Sequence, residues 1–265
     1  MFSMLHYLYS LNEDLIRSPR NLDYDDEQIQ LDNLESNQMD LNFENESIII
    51  QPPEFLIIAM PGFGNAFINS NYPKLEKLTS IIDKNEKFKQ KINLFQPDSN
   101  IIITLLNQKI PDEKCRQFVQ FFINKIQPKK IIMFDQIYLE PTQFEELISK
   151  KENQEFIKIV ETSEHKKIRK ELNLASLPPP YFLQNFSASL ITQAEILNIP
   201  SCVFVSLQER QTLSFEPFFA IDKILIPILF PQKNFSEIPE KKIREKYSKE
   251  ISNFNSFHPT KDFYL

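Results

Sequence analysis

Short apolar runs alternate with helical segments from residue 48 onward, and this alternation constrains the fold more than any other feature of the chain. The runs are four to seven residues long, which is the length of a buried strand rather than of a helix. Strands separated by helices indicate an α/β layer architecture with a buried sheet. The runs occupy residues 47–50, 55–60, 100–106, 130–135, 156–160 and 202–207.

The segments between these runs carry helical signals. The clearest helix covers residues 113–126, with Asp112 as its N-cap and Pro128 after its end. Its apolar side chains share one face, and they are Cys115, Phe118, Val119, Phe122 and Ile126. Further helices are expected over residues 72–94, 186–197 and 239–253. The helix 186–197 stops before a proline and leads directly into the strand 202–207.

The pattern predicts one α/β domain over residues 48–254, with a mostly parallel central sheet and helices on both faces. Residues 1–47 hold eleven acids and two bases, a net charge of −9 in a chain whose total is −6, so the remainder carries +3. Such a segment is expected to form an acidic, largely disordered arm. Residues 255–265 lack a helical pattern and are expected to form a flexible tail.

Composition argues against several classes of function. A net charge of −6 lacks the basic surface that binds phosphate backbones, so no nucleic-acid partner is expected. No apolar run reaches the length of about 18 residues that a membrane span needs, and the opening residues do not have the pattern of a leader peptide. Two cysteines, Cys115 and Cys202, are too few for a disulfide scaffold. They indicate a reducing compartment, the cytoplasm or the nucleus.

Glycine is scarce, and both glycines of the chain, Gly62 and Gly64, follow the apolar run 55–60. A Gly-x-Gly turn after a strand is part of a nucleotide-binding fingerprint, because open α/β sheets bind ligands at the carboxyl ends of their strands. The third glycine is missing, no Lys-Ser/Thr pair follows, and no helix is expected directly after the turn. A tight turn that requires positive φ or close backbone packing is therefore favoured. A nucleoside- or phosphate-binding enzyme is the alternative.

The chain is not expected to be an enzyme or to hold a cofactor, because no set of residues combines a nucleophile, a base and an oxyanion donor. Asp135, at the end of the run 130–135, is either a catalytic acid or a turn cap. Ser187 and Ser189 lack the glycines of a nucleophile elbow, and Cys202 is expected to be a core residue. The histidines lie too far apart in sequence to predict a metal site, at His6, His165 and His258.

The last three residues form a different kind of candidate site. Phe263 and the Tyr264 ring can be buried in a cleft of another protein, while the carboxylate of Leu265 pairs with a lysine or with backbone donors. An apolar-Tyr-any ending arises by chance in about 1% of sequences of this composition, so the motif alone is suggestive. The alternative is that these aromatic residues pack onto the core of their own domain.

Residues 180–205 resemble the proteasome assembly chaperones that guide formation of the proteasome α-ring. The shared features are a helix of small residues, an Ile-Pro hinge at Ile199 and Pro200, and an apolar strand after it. The resemblance continues through residues 55–59, 215–219 and 224–225, and it runs in order through most of residues 48–265. The sequence departs from the family at Pro61, Gly62 and Gly64, and residues 140–175 have no match.

The resemblance implies a heterodimer with a chaperone-2-like subunit, bound to proteasome α-subunits. Members of the family end in hydrophobic-Tyr-any, and the matching positions here are Phe263, Tyr264 and Leu265. It implies that these residues bind in a pocket between α-subunits. A generic interaction domain with an unrelated tail is the remaining alternative.

Overall fold

The computed structural model describes residues 39–48, 50–85, 88–89, 91–148, 156–168, 174–209, 212–229 and 240–257. Eight strands lie within these ranges: β1 Leu41–Phe43, β2 Phe55–Ala59, β3 Lys77–Asp83, β4 Ile92–Asp98, β5 Ile101–Leu105, β6 Lys130–Leu139, β7 Ile157–Glu161 and β8 Ser201–Glu209. The helices there are α1 Phe63–Asn71, α2 Asp112–Phe121, α3 Pro141–Ile148, α4 Ser163–Ile168, α5 Asn185–Ile196, α6 Glu216–Leu229 and α7 Glu240–Phe257. One π-helical turn, Phe122–Ile126, extends α2.

The strands form one mixed sheet in the order β1-β3-β4-β5-β2-β6-β8-β7. Its four central strands, β5, β2, β6 and β8, are mutually parallel, and the pairs outside them are antiparallel. This confirms the α/β class and the parallel centre. Each central strand contains a run of consecutive apolar residues, as expected where helices cover both faces of a sheet.

The sheet separates two hydrophobic clusters. Leu56 and Ile58 of β2 face the cluster that α2 and α5 complete with residues such as Phe118 and Phe186. Ile57, on the other face, belongs to the cluster completed by α1, α6 and α7. Alternate residues of one strand thus serve both clusters, as the two-residue repeat of a strand requires.

The expected helix over residues 72–94 is wrong, because this segment contains β3 and the start of β4. The two strands pair antiparallel, with Ile81 opposite Ile92. Three consecutive residues of β3, Thr79, Ser80 and Ile81, are buried. β-branched residues fit this pleated, half-buried setting better than a helix.

The start of the domain also differs from the expectation. Residues 47, 48 and 50 form no strand, since the N–H of Ser47 bonds to Oδ1 of Asn45 in a local turn. The edge strand is instead β1, which lies inside the segment expected to be a disordered arm and pairs with β3. Glu44, just after β1, forms ion pairs with Lys77 at 3.2 Å and Lys91 at 2.5 Å. Residues 1–38 of the expected arm lie outside the described residues.

Other expected elements are present with altered bounds. The apolar face of the predicted helix 113–126 is buried from Cys115 to Ile126, but Pro111 is the N-cap and Asp112 the first helical residue. The strand expected at 130–135 continues to Leu139 and pairs with β8 as far as Glu209. None of the described helices combines the length and the apolar character needed to cross a bilayer.

Candidate functional site

The two glycines lie where β2 meets α1, and each is required by the backbone. Gly62 has φ of +92°, a conformation that L side chains rarely adopt. Gly64 packs against β2 and β6 so closely that an added Cβ would lie 2.7 Å from the carbonyl oxygen of Phe134 and 3.1 Å from Cα of Ala59. α1 begins at Phe63, directly after the turn, which corrects the expectation that no helix follows it. The geometry therefore supports the structural role of the glycines.

The side chain of Gln136, from β6, fills the space above the Gly62 turn. Its Oε1 accepts a hydrogen bond of 2.8 Å from the N–H of Phe63, and its Nε2 donates to the hydroxyl of Tyr138 at 2.5 Å. The first turn of α1 thus has a side-chain acceptor from a neighbouring strand. A phosphate bound at this turn would have to displace Gln136, so the geometry gives the nucleotide-binding alternative no support.

Asp135 is held between β6 and α5. Its carboxylate accepts hydrogen bonds from the Ser187 hydroxyl and from the N–H of Gln136 at 2.8 Å. Burial raises the pKa of this carboxyl above its ordinary value, although both hydrogen bonds oppose the shift. Ser187 is fully buried. The pair therefore fastens α5 to the sheet, a role that sequence reasoning did not assign to either residue.

The remaining chemical candidates are structural where they are described. Cys115 and Cys202 are not joined in a disulfide and are buried, which confirms Cys202 as a core residue. Burial raises the pKa of the Cys115 thiol to about 11. His165 contacts Glu161 at 2.8 Å. No group of His, Cys, Asp and Glu within the described ranges could hold a metal ion. His6 and His258 lie outside the described residues.

A cavity of about 450 Å³ opens at the carboxyl ends of β2, β5 and β6. This is the edge at which open α/β sheets bind ligands. Its polar contributors include Lys109, Asp135 and Gln136, and its apolar and aromatic contributors are Met60, Pro61, Ile137, Tyr138, Phe182, Leu183 and Phe254. Phe182 is 67% exposed, an unusual position for a large aromatic side chain. A shallower groove of about 290 Å³ beside α5 shares Phe182 and Leu183 with this cavity.

Sequence reasoning identified Asp135 and the glycine turn but missed Lys109, Gln136 and Phe182. Gln136 directly follows Asp135 at the end of a buried run, which was the one available signal for it. The three predicted binding residues, Phe263, Tyr264 and Leu265, lie outside the described residues. The described site is therefore the cavity at the sheet edge, and the tail site stays a prediction.

The sequence matches no family model and no curated protein, whereas several solved structures have a similar fold. The crystal structure of PbaA from Pyrococcus furiosus, an archaeal homologue of proteasome-assembly chaperone, aligns with a TM-score of 0.60 at 12% identity, over 83% of this chain and 96% of PbaA. PbaB from the same organism, an archaeal proteasome activator, aligns with a TM-score of 0.52 at 10% identity, over 83% of this chain and all of PbaB. A Thermoplasma acidophilum protein of unknown function aligns with a TM-score of 0.50 at 9% identity, over 78% of this chain and 89% of that protein.

These similarities define the class of structure. The chain has the α/β fold of PbaA and PbaB, and the shared part extends over most of each protein. At identities of 10 to 12%, the similarity is one of fold.

Proposed function

We propose that this chain is a proteasome-assembly chaperone. The observation that carries the proposal is the fold shared with PbaA, an archaeal homologue of proteasome-assembly chaperone, over 83% of this chain. Two features of the sequence support it independently of the fold. Residues 180–205 resemble the proteasome α-ring assembly chaperones, and the ending Phe263-Tyr264-Leu265 has the hydrophobic-Tyr-any pattern of that family.

In this proposal the chain is the chaperone 1 subunit of a heterodimer, and its partner is a chaperone-2-like subunit. The heterodimer acts in the cytoplasm and the nucleus. The heterodimer binds the α-subunits and promotes assembly of the α-ring without a catalytic step or a cofactor. The α/β domain carries the tail and positions it for binding. α7 ends at Phe257, and the eight residues after it can span up to about 28 Å when extended, enough to reach a pocket on a neighbouring protein.

The proposed tail contact has a simple physical basis. Burial of the Phe263 and Tyr264 rings in a pocket between α-subunits supplies apolar contact area, while the tyrosine hydroxyl retains a hydrogen bond. The Leu265 carboxylate pairs with a pocket lysine, a charge-assisted bond worth about 1.5–3 kcal/mol. Anchors of this kind account for most of the binding free energy in small interfaces.

The experiment is capture of co-expressed α-subunits by the full chain and by a chain that ends at Asp262. We expect the shorter chain to lose most of the capture and to keep its far-UV circular dichroism spectrum, since the described helices and strands all lie before residue 258. Lys261→Ala is the matched control, because it changes the tail next to the motif without touching it. Equal capture by the full and shortened chains would refute the tail contact.

A second experiment tests the partners. Affinity purification of the full chain followed by mass spectrometry should recover α-subunits together with a chaperone-2-like protein. Recovery of other proteins, with α-subunits absent, would favour the generic interaction domain instead. A thermal shift on addition of nucleotides that is lost in Gly64→Ala would favour the phosphate-binding alternative.

A further inference from the structure

The cavity at the carboxyl edge of the sheet is not explained by the proposed docking of the tail on α-subunits. Its volume of about 450 Å³ lies within the range of about 300–1,000 Å³ typical of ligand pockets. Its walls include the exposed ring of Phe182, and Tyr138 is 42% exposed beside it. Large aromatic side chains around a cavity are apolar surface that a ligand would remove from water.

The cavity also has a positively charged group in its lining. Lys109 lines it and is exposed, and no carboxylate of the described ranges lies within ion-pair distance of its ammonium group. Asp135 lines the same cavity and interacts electrostatically with Lys109, but its oxygens already accept hydrogen bonds from Ser187 and from the N–H of Gln136. A ligand that complements this site would therefore combine aromatic rings with a carboxylate.

The end of α7 brings a segment of this composition to the cavity. Phe254, in the last turn of α7, is itself one of the lining residues. Asn255 fixes this end of the helix through two hydrogen bonds with Leu213, of 2.8 and 3.2 Å. The described chain stops at Phe257, one residue before the segment His258-Pro259-Thr260-Lys261-Asp262-Phe263-Tyr264-Leu265. Phe257 lies about one helical turn beyond Phe254, which lines the cavity, so an extended reach of up to about 28 Å is enough for a return to the cavity.

We propose that this cavity binds residues 258–265 of the same chain, with the rings of Phe263 and Tyr264 against Phe182 and a tail carboxylate at Lys109. The cavity is then a storage site for the docking tail, and this use of it rests on the proposed function. The tail cannot occupy the cavity and an α-subunit pocket together. Its apparent affinity for α-subunits is reduced by the fraction of chains in which the tail is stored.

The test uses the full chain and the absence of tryptophan from its sequence. Phe263→Trp places the sole indole of the protein in the tail, and Tyr264→Trp does so one residue later. We expect the indole emission of both variants to be blue-shifted, and its quenching by acrylamide to be weaker than that of a free peptide of residues 258–265 carrying the same substitution. This measurement requires no α-subunit, so its failure is distinguishable from failure of the proposed function.

Second-site variants identify the binding site. Lys109→Glu replaces attraction by repulsion and should shift the ratio of stored to free tail roughly tenfold or more, and Phe182→Ala should act in the same direction. Both should restore the quenching of the free peptide. Lys125→Glu is the matched control, since Lys125 is an exposed lysine that does not line the cavity, and it should change nothing.

One result of these fluorescence measurements would support the proposal, and two would overturn it. Shielding of the indole in both tail variants that is lost in Lys109→Glu and in Phe182→Ala supports storage in the cavity. Emission and quenching equal to those of the free peptide would overturn the proposal. Shielding that is insensitive to both cavity variants would overturn it as well, because the tail would then be buried elsewhere.

Discussion

Gly64→Ala tests whether the glycine turn exists for close packing. An added Cβ would lie 2.7 Å from the carbonyl oxygen of Phe134 and 3.1 Å from Cα of Ala59. Both neighbours are backbone atoms of central strands, so neither can move aside as a flexible side chain would. The Phe134 carbonyl also accepts the hydrogen bond of 2.9 Å from the N–H of Met60. A shift of this carbonyl would therefore weaken the junction between β2 and β6.

The magnitude follows from two opposing effects. Replacing a helical glycine by alanine stabilises a helix by about 0.5–1 kcal/mol. Overpacking of a tightly filled position costs about 1–3 kcal/mol. The packing cost prevails because the contacts are with backbone, and we expect a net loss of roughly 0.5–2 kcal/mol in the free energy of unfolding.

Urea unfolding followed by far-UV circular dichroism measures this change. Asn69→Ala is the matched control, because Asn69 lies on the same helix in a partly exposed position, and its change should stay within about 0.5 kcal/mol. If Gly64→Ala unfolds at the same urea concentration as the wild type, or at a higher one, the close-packing explanation of this glycine is refuted.

Two buried polar groups give further predictions. The pKa of Asp135 is raised above its ordinary value of 3.8 by burial, so its ionisation in the folded state costs free energy as pH rises from about 4 to the raised pKa. Relative to the wild type, the free energy of unfolding of Asp135→Asn should increase over that interval and keep the gain at higher pH. Urea unfolding at several pH values measures this change. A difference in the free energy of unfolding between the two proteins that is independent of pH would contradict the reasoning. Tyr247→Phe removes a hydroxyl that donates to Asp222 at 2.6 Å and accepts from Asn71 at 3.0 Å, and should cost about 1–3 kcal/mol in thermal unfolding. Tyr181→Phe is the control, and an equal effect in both variants would argue against a buried network.

The buried strands were predictable because their apolar sequences can be buried in only one kind of environment. β2 and β8 contain consecutive apolar residues that need cover on both faces, and only the centre of a sheet lined by helices on both sides supplies it. The helix faces of α2 and α5 were predictable for a related reason, since their apolar residues recur at helical spacing. Both signals are local, so a single sequence suffices to read them.

The site was less predictable because its parts come from distant segments. Gln136 reaches the turn after β2 only when β6 lies beside β2, and Ser187 meets Asp135 only when α5 packs on that face. Nothing near Gly62 in the sequence indicates that a glutamine side chain will occupy the turn. Position along the chain carries no information about such contacts until the order of the strands is known.

By itself, the sequence determined the α/β class, the buried central strands and the helices α2, α5 and α7, and it supplied the candidate docking residues at its end as a prediction. The tertiary structure decided that residues 77–83 and 92–98 pair as strands, that an edge strand lies at Leu41–Phe43, and that one cavity brings Lys109, Gln136 and Phe182 together. The physical reason is the range of the interactions. Burial pattern and helix periodicity are set by neighbours along the chain, whereas strand pairing, close backbone contact and cavity lining are set by residues that only folding brings side by side.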